Sequence, residues 1–227
     1  MIPRIVVSEW QSLCYSRGLR ADPAQRAVAS ILDSVVSLQN GSDGKSGCFI
    51  HGTVGTGKTL LLDCFHRVLH PKSKRIHFHD FMLGVHESLH QTKCMDETIA
   101  IMATQSKCLC FDEFQVTDVA DAVLLHRLFK GLFDDHGVFV VATSNRAPEK
   151  LYENGINREA LFVPFQHLLR ERCEIIDINE LGASIDYRTV VSEGPQGTLR
   201  QASILYPIVP GEIDAIQAAL CDVSPCA

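Results

Sequence analysis

No apolar run in this chain of 227 residues approaches the roughly 20 residues that a membrane-spanning helix needs. The expectation is a soluble protein with at most peripheral membrane contact. Positive charge is also scarce. The balance of 21 Lys and Arg against 27 Asp and Glu leaves a net charge of −6, which argues against a protein held to nucleic acid by bulk electrostatics. The first 20 residues hold Arg4, Arg17 and Arg20 but also Glu9, with no long apolar segment, so they read as neither a signal peptide nor a transit peptide. A disulfide framework is missing despite nine cysteines. Cys48, Cys64, Cys108, Cys110 and Cys173 sit inside apolar patterns, where the reduced thiol behaves as a small hydrophobe, and a reducing compartment follows. Zinc-like spacing is absent too. His77 and His79 stand two apart with no third ligand at a suitable distance, and Cys108 and Cys110, alternating along one strand, read as two buried thiols.

What is present centres on Gly47 to Leu62, where a short apolar run, Cys48-Phe49-Ile50, meets Gly52-Thr53-Val54-Gly55-Thr56-Gly57-Lys58-Thr59 and then a helical pattern of Leu60, Leu61, Cys64, Phe65, Val68 and Leu69. Several backbone N–H groups can converge on a polyphosphate only if the chain curls closely. Gly52, Gly55 and Gly57 allow that by having no Cβ. The helix starting near Lys58 then aims its positive dipole end at the same anion. Lys58 supplies a mobile charge for the β- and γ-phosphates, and the Thr59 hydroxyl is placed to ligate Mg²⁺. Residues Gly52 through Leu60 are therefore the expected nucleotide-binding segment.

A second stretch, Lys107 to Phe114 (KCLCFDEF), ends a buried strand in two acids. A phosphate-loop protein needs a carboxylate here to hold the Mg²⁺ shell opposite Thr59, and Asp112 takes that place. Glu113, one residue on, is positioned to polarise an attacking water as general base. Val138 to Ala142 is a continuous apolar run, as in a strand covered on both faces of a parallel sheet. The segment that follows, Thr143-Ser144-Asn145-Arg146, lacks the Asn-Lys-x-Asp element that reads guanine. If that strand lies between the other two, Asn145 falls between the phosphate loop and Glu113 as a polar sensor of the γ-phosphate or the attacking water. Arg158 is a candidate arginine finger for a neighbouring subunit's γ-phosphate, and taken alone reads as a surface ion pair.

The remaining pattern predicts an α/β fold. Asp22-Pro23-Ala24-Gln25 starts a helix, with Asp22 as N-cap and Gln25 completing a capping box, that runs to about Leu38. Strands are expected at 75–78 and 174–178, and helices at 81–90, 97–103 and from Thr117 to about Asp135. Pro148 opens a short helix stopped by Gly155. A loop at 194–197 and a helix at 212–220 would form a small C-terminal α+β piece. The division is 1–46 as N-terminal helix and linker, 47–180 as the core, and 181–227 as the extension. The length and the 46% hydrophobic content suffice for one such domain.

The order of strand, phosphate loop, Asp-Glu strand and Asn-ended strand resembles an AAA+ ATPase. The segments HFHDFMLGVH (77–86), CFDEFQVTDVADA (110–122), ATSNRAPEKLYENGINR (142–158) and DYR (186–188) are similar to the ATPase-family-gene-one and ZapE group, over about Leu19 to Leu220. The resemblance implies a three-layer P-loop sandwich and a Mg²⁺-dependent ATP hydrolase working as a homo-oligomeric ring. Lys58 and Thr59 would sit at the phosphates, Asp112 and Glu113 would be the acidic pair, Asn145 the sensor and Arg158 the finger. It also implies protein clients: respiratory-chain quality control in mitochondria for eukaryotic members, and the division machinery near the inner membrane for bacterial ones, where the setting is cytoplasmic. Family members continue with a lid-like helical segment. Its lack leads to an alternative expectation of a non-catalytic or weakly active ATP-binding regulatory form. A nucleic-acid motor loader is a third reading, disfavoured by the negative charge.

Overall fold

The computed structural model describes residues 5–38 and 45–182. In chain order these form α1 (Ile5–Ser16), α2 (Pro23–Leu38), β1 (Gly47–His51), α3 (Lys58–Leu69), β2 (Ser73–His77), α4 (Phe78–Thr92), α5 (Met95–Thr104), β3 (Cys108–Asp112), α6 (Val119–Lys130), β4 (Phe139–Ser144), α7 (Arg158–Leu161), α8 (Val163–Arg172) and β5 (Cys173–Asp177). The strands form one parallel sheet in the order β2-β3-β4-β1-β5. Every residue of β3 and β4 is buried, as an interior strand with helices on both faces must be, and this accounts for their unbroken apolar runs.

Alternation along the strands divides the core in two. Cys48, Ile50, Cys108, Cys110 and Val141 pack with α1, α2 and α3. Phe49, Leu109, Phe111, Val140 and Ala142 face α4, α5, α6 and α8. Phe114 is a hub of the second layer: its ring stacks on Phe78 at 3.8 Å between centroids and meets Phe49 edge-on at 5.6 Å. The three-layer parallel α/β sandwich expected from the sequence is the fold observed.

Several boundaries differ from expectation. The strand expected at 75–78 is Ser73–His77, and the helix expected at 81–90 begins three residues earlier, at Phe78. Pro148 opens only a 3₁₀ turn, Pro148–Lys150, in place of a helix reaching Gly155. Helix α6 starts at Val119, capped by Asp118, whose carboxylate accepts from Ala120 N at 2.8 Å, and it continues into a π-helical turn, Gly131–Asp135. Helices α1 and α8 were not anticipated. The former buries Ile5, Val6, Val7, Trp10, Leu13 and Cys14, a helical stripe inside a segment read only for targeting signals. The loop at 194–197, the helix at 212–220 and the DYR segment lie outside the described residues.

Candidate active site

The phosphate loop links β1 to α3. Gly57, the residue before α3, holds φ +86° and Gly55 holds +90°, both in the left-handed region where a side chain is strained. A Cβ on Gly57 would come within 2.3 Å of the Gln25 amide nitrogen, and one on Gly52 within 2.4 Å of Ile178 Cγ2. Gly57→Ala is therefore expected to cost about 1–3 kcal/mol and to weaken nucleotide binding. A denaturant titration with and without ATP checks both effects.

Lys58 is buried at the start of α3. Its ammonium donates to Gly52 O at 2.8 Å, Thr53 O at 2.7 Å and the Thr56 hydroxyl at 3.4 Å, so the loop is curled around its own lysine. From below, Asn179, just past β5, accepts through Oδ1 from Thr53 N at 3.3 Å and from the Thr53 hydroxyl at 2.9 Å. His51, at the end of β1, is pulled below its ordinary pKa by burial, with Asp177 Oδ2 at 3.8 Å acting the other way. Since the unfolded chain would protonate this imidazole more readily, its contribution to stability is present above pH 6.5 and is lost as pH falls.

The acidic pair lies across the pocket. Asp112, at the end of β3, is 3% exposed, and both of its oxygens are hydrogen-bonded, as a buried polar group requires. Oδ1 accepts from the Thr143 hydroxyl at 2.8 Å and the Thr59 hydroxyl at 3.2 Å, and Oδ2 takes the Arg75 guanidinium at 2.6 Å. Arg75 in turn reaches Asp63 of α3 at 3.0 Å. Glu113 is exposed at the pocket wall with φ +55°, held there by its N–H on the Thr143 hydroxyl at 3.3 Å and by Phe114 N on Thr143 O at 2.6 Å.

Because β4 lies between β1 and β3, Asn145 falls where expected, between the loop and Glu113. Val54, Gly55, Gly57, Lys58 and Thr59 line one side of a pocket of about 400 Å³, and Asp112, Glu113, Thr143, Ser144 and Asn145 the other. Gly52, Thr53 and Thr56 shape the loop without lining the pocket, and Leu60 packs against the α1–α3 core layer. Arg158 is elsewhere: its guanidinium donates to Glu149 O at 2.8 Å and Gln166 Oε1 at 3.2 Å and lies over the Phe162 ring at 5.6 Å.

The sequence reading missed Thr143, which holds both acidic residues, and Arg75, which holds Asp112 from behind. Thr143 carried a signal, two residues before Asn145 on a strand destined to separate the loop from the acids. Arg75 carried a weaker one, a lone guanidinium in a strand paired with β3. Gln25 was misassigned. Asp22 caps α2 as expected, accepting from Ala24 N at 2.7 Å, but the Gln25 side chain turns away from the cap to the phosphate loop, donating to Thr56 O at 3.0 Å.

Thr59 Oγ1 and Asp112 Oδ1 stand 3.2 Å apart in the pocket. This hard-oxygen pair fits a Mg²⁺ ion, which prefers carboxylate and hydroxyl oxygens to nitrogen or sulfur.

A loop of this form before α3, with the acidic pair at the end of β3 and β4 inserted between, defines a P-loop nucleotide-binding protein of the AAA+ type. Solved structures agree on the fold. AMPPCP-bound DnaA from Aquifex aeolicus superposes with a TM-score of 0.52 over 70% of this chain and 47% of that one, at 20% identity. DnaI does so with a TM-score of 0.52 over 69% of this chain and 86% of that one, at 18% identity.

The sequence pattern of the AFG1-like ATPase family matches residues 12–221, and the chain belongs to that family. It is 47% identical over 159 residues to Lactation elevated protein 1 homolog B of Danio rerio, covering 63% of this chain and 31% of that protein. With Cell division protein ZapE of Escherichia coli K12 it shares 42% over 147 residues, covering 63% of this chain and 38% of that protein. The match spans about a third of the length of these curated relatives. Among the described residues, no helix is long and apolar enough to cross a membrane.

Proposed function

We propose that this chain binds Mg²⁺-ATP in the pocket between the phosphate loop and the ends of β3 and β4, and hydrolyses it. The observation that carries the reading is the convergence of Lys58, Thr59, Asp112, Glu113 and Asn145 on one pocket wall to wall. In this reading the amides of the loop and the Lys58 ammonium bind the β- and γ-phosphates, the ammonium exchanging loop carbonyls for phosphate oxygens. Thr59 and Asp112 hold Mg²⁺, which when bound offsets the negative charge of the phosphates. Glu113 accepts a proton from the attacking water at a carboxylate oxygen. Asn145 orients that water or the γ-phosphate from the end of β4.

The same reading extends to an oligomeric ring that remodels protein clients, in protein quality control or at the division machinery. Mitochondrial residence would hold for a eukaryotic source, and a cytoplasmic, membrane-peripheral one otherwise. Membership of the family supports the extension. So does the placement of Arg158, whose side chain is 21% exposed and lies apart from the chain's own pocket, as a finger acting on a neighbour would be.

Steady-state ATP hydrolysis measured against protein concentration tests the ring. Specific activity is expected to rise with concentration, and Arg158→Ala to lower the plateau by about 10³-fold or more. Activity independent of both concentration and Arg158 contradicts assembly through this residue.

A further inference from the structure

Gln25 is a neutral amide that is 1% exposed, and both ends of it are used. Its Oε1 accepts from the indole N–H of the equally buried Trp10 at 3.0 Å, and its Nε2 donates to Thr56 O at 3.0 Å. The side chain lies directly against Gly57, where any Cβ would be 2.3 Å from Nε2. Its own backbone is fixed by the Asp22 cap, whose Oδ1 also takes Gln25 N at 3.4 Å. A long polar side chain buried so far from solvent is costly unless fully satisfied. The partner it has is the backbone of the phosphate loop.

The Thr56 carbonyl and the Gly57 N–H belong to one planar, trans peptide unit and point in opposite directions. Tying that carbonyl back to α2 turns the Gly57 N–H the other way, on the side where Gly57 borders the pocket. We infer that Gln25, oriented by Trp10, is a positioning residue that presets the Gly57 N–H of the phosphate loop toward a bound di- or triphosphate. This rests on the reading of the pocket as a nucleotide site. The α1–α2 pair thereby becomes part of the phosphate site as well as a cover for the sheet.

A group that presets a ground-state contact alters binding more than the chemical step. The test compares wild type with Gln25→Leu, of similar size but unable to donate, and with the flexible Gln25→Met in case the first fails to fold. Pyrophosphate affinity, ATP KM and kcat are measured well below the melting temperature. The expected result is a rise of about tenfold or more in both pyrophosphate Kd and ATP KM, with kcat within about threefold of wild type. A folded variant with a lowered melting temperature but wild-type Kd and KM overturns the assignment and leaves Gln25 as core packing. Should wild type bind pyrophosphate yet hydrolyse no ATP, the ATPase reading fails while the Kd ratio still decides the role of Gln25. A wild type that binds neither ligand overturns both.

Discussion

Glu113→Gln is expected to lower the ATP turnover number by about 10²–10⁴-fold, the range for losing a positioned general base, while leaving ATP binding near wild type. The amide has the shape of the carboxylate and can still hydrogen-bond a water, but it cannot take up its proton. Little else should change, because Glu113 is exposed and its left-handed backbone, φ +55°, is held by contacts of the main chain: its own N–H on the Thr143 hydroxyl and Phe114 N on Thr143 O. Parallel measurement of kcat and of equilibrium ATP binding checks this. Retained turnover would remove Glu113 from the reaction, and lost binding would make it a structural residue of the pocket. The expected pattern is the reverse of that for Gln25→Leu, where binding falls and turnover at saturation persists.

Phe114→Ala is expected to cost about 3–5 kcal/mol of stability. The ring is 1% exposed. It stacks on Phe78 at 3.8 Å and on Phe165 at 6.1 Å, and meets Phe49, Phe111 and Phe129 edge-on. Removing it leaves a cavity bordered by rigid aromatic rings that cannot collapse into it. The cost should appear as a lower midpoint in denaturant with the slope unchanged. Since Phe114 follows Glu113 directly and its carbonyl accepts from the Ser144 hydroxyl at 2.7 Å, the same cavity loosens the acidic wall of the pocket. A loss below about 1 kcal/mol would show that the aromatic cluster is not what fixes that wall.

The parts of the site that could be read from the sequence are those whose chemistry is local. Glycines at left-handed positions, a lysine and a hydroxyl at the head of a helix, and paired acids at the end of an apolar strand each carry their constraint within a few residues. Asn145 needed one further step, the insertion of β4 between β1 and β3, and the unbroken apolar run of 138–142 already marked an interior strand. What escaped were residues that work across long sequence separations. Thr143 bonds to Asp112, 31 residues away, and Arg75 reaches the same carboxylate across 37. Gln25 is the instructive error. The letters Asp-Pro-Ala-Gln read the same whether the glutamine folds back on its own helix end or reaches Thr56, 31 residues on, and only the packing of Trp10 beside it selects the second. Helix α1 escaped for a different reason, since its apolar stripe lay in a segment weighed solely for targeting signals.

The pocket is expected to hold a nucleoside triphosphate through Lys58 and a Mg²⁺ ion through Thr59 and Asp112. The most direct measurement is an equilibrium titration of the purified chain with a fluorescent ATP analogue, with and without Mg²⁺, on wild type beside Lys58→Ala. The expected result is saturable binding by wild type that tightens with Mg²⁺, and affinity at least about 100-fold weaker for the variant, because a buried ammonium on phosphate is among the stronger charge-assisted contacts. Binding of equal strength by wild type and Lys58→Ala, indifferent to Mg²⁺, would contradict it.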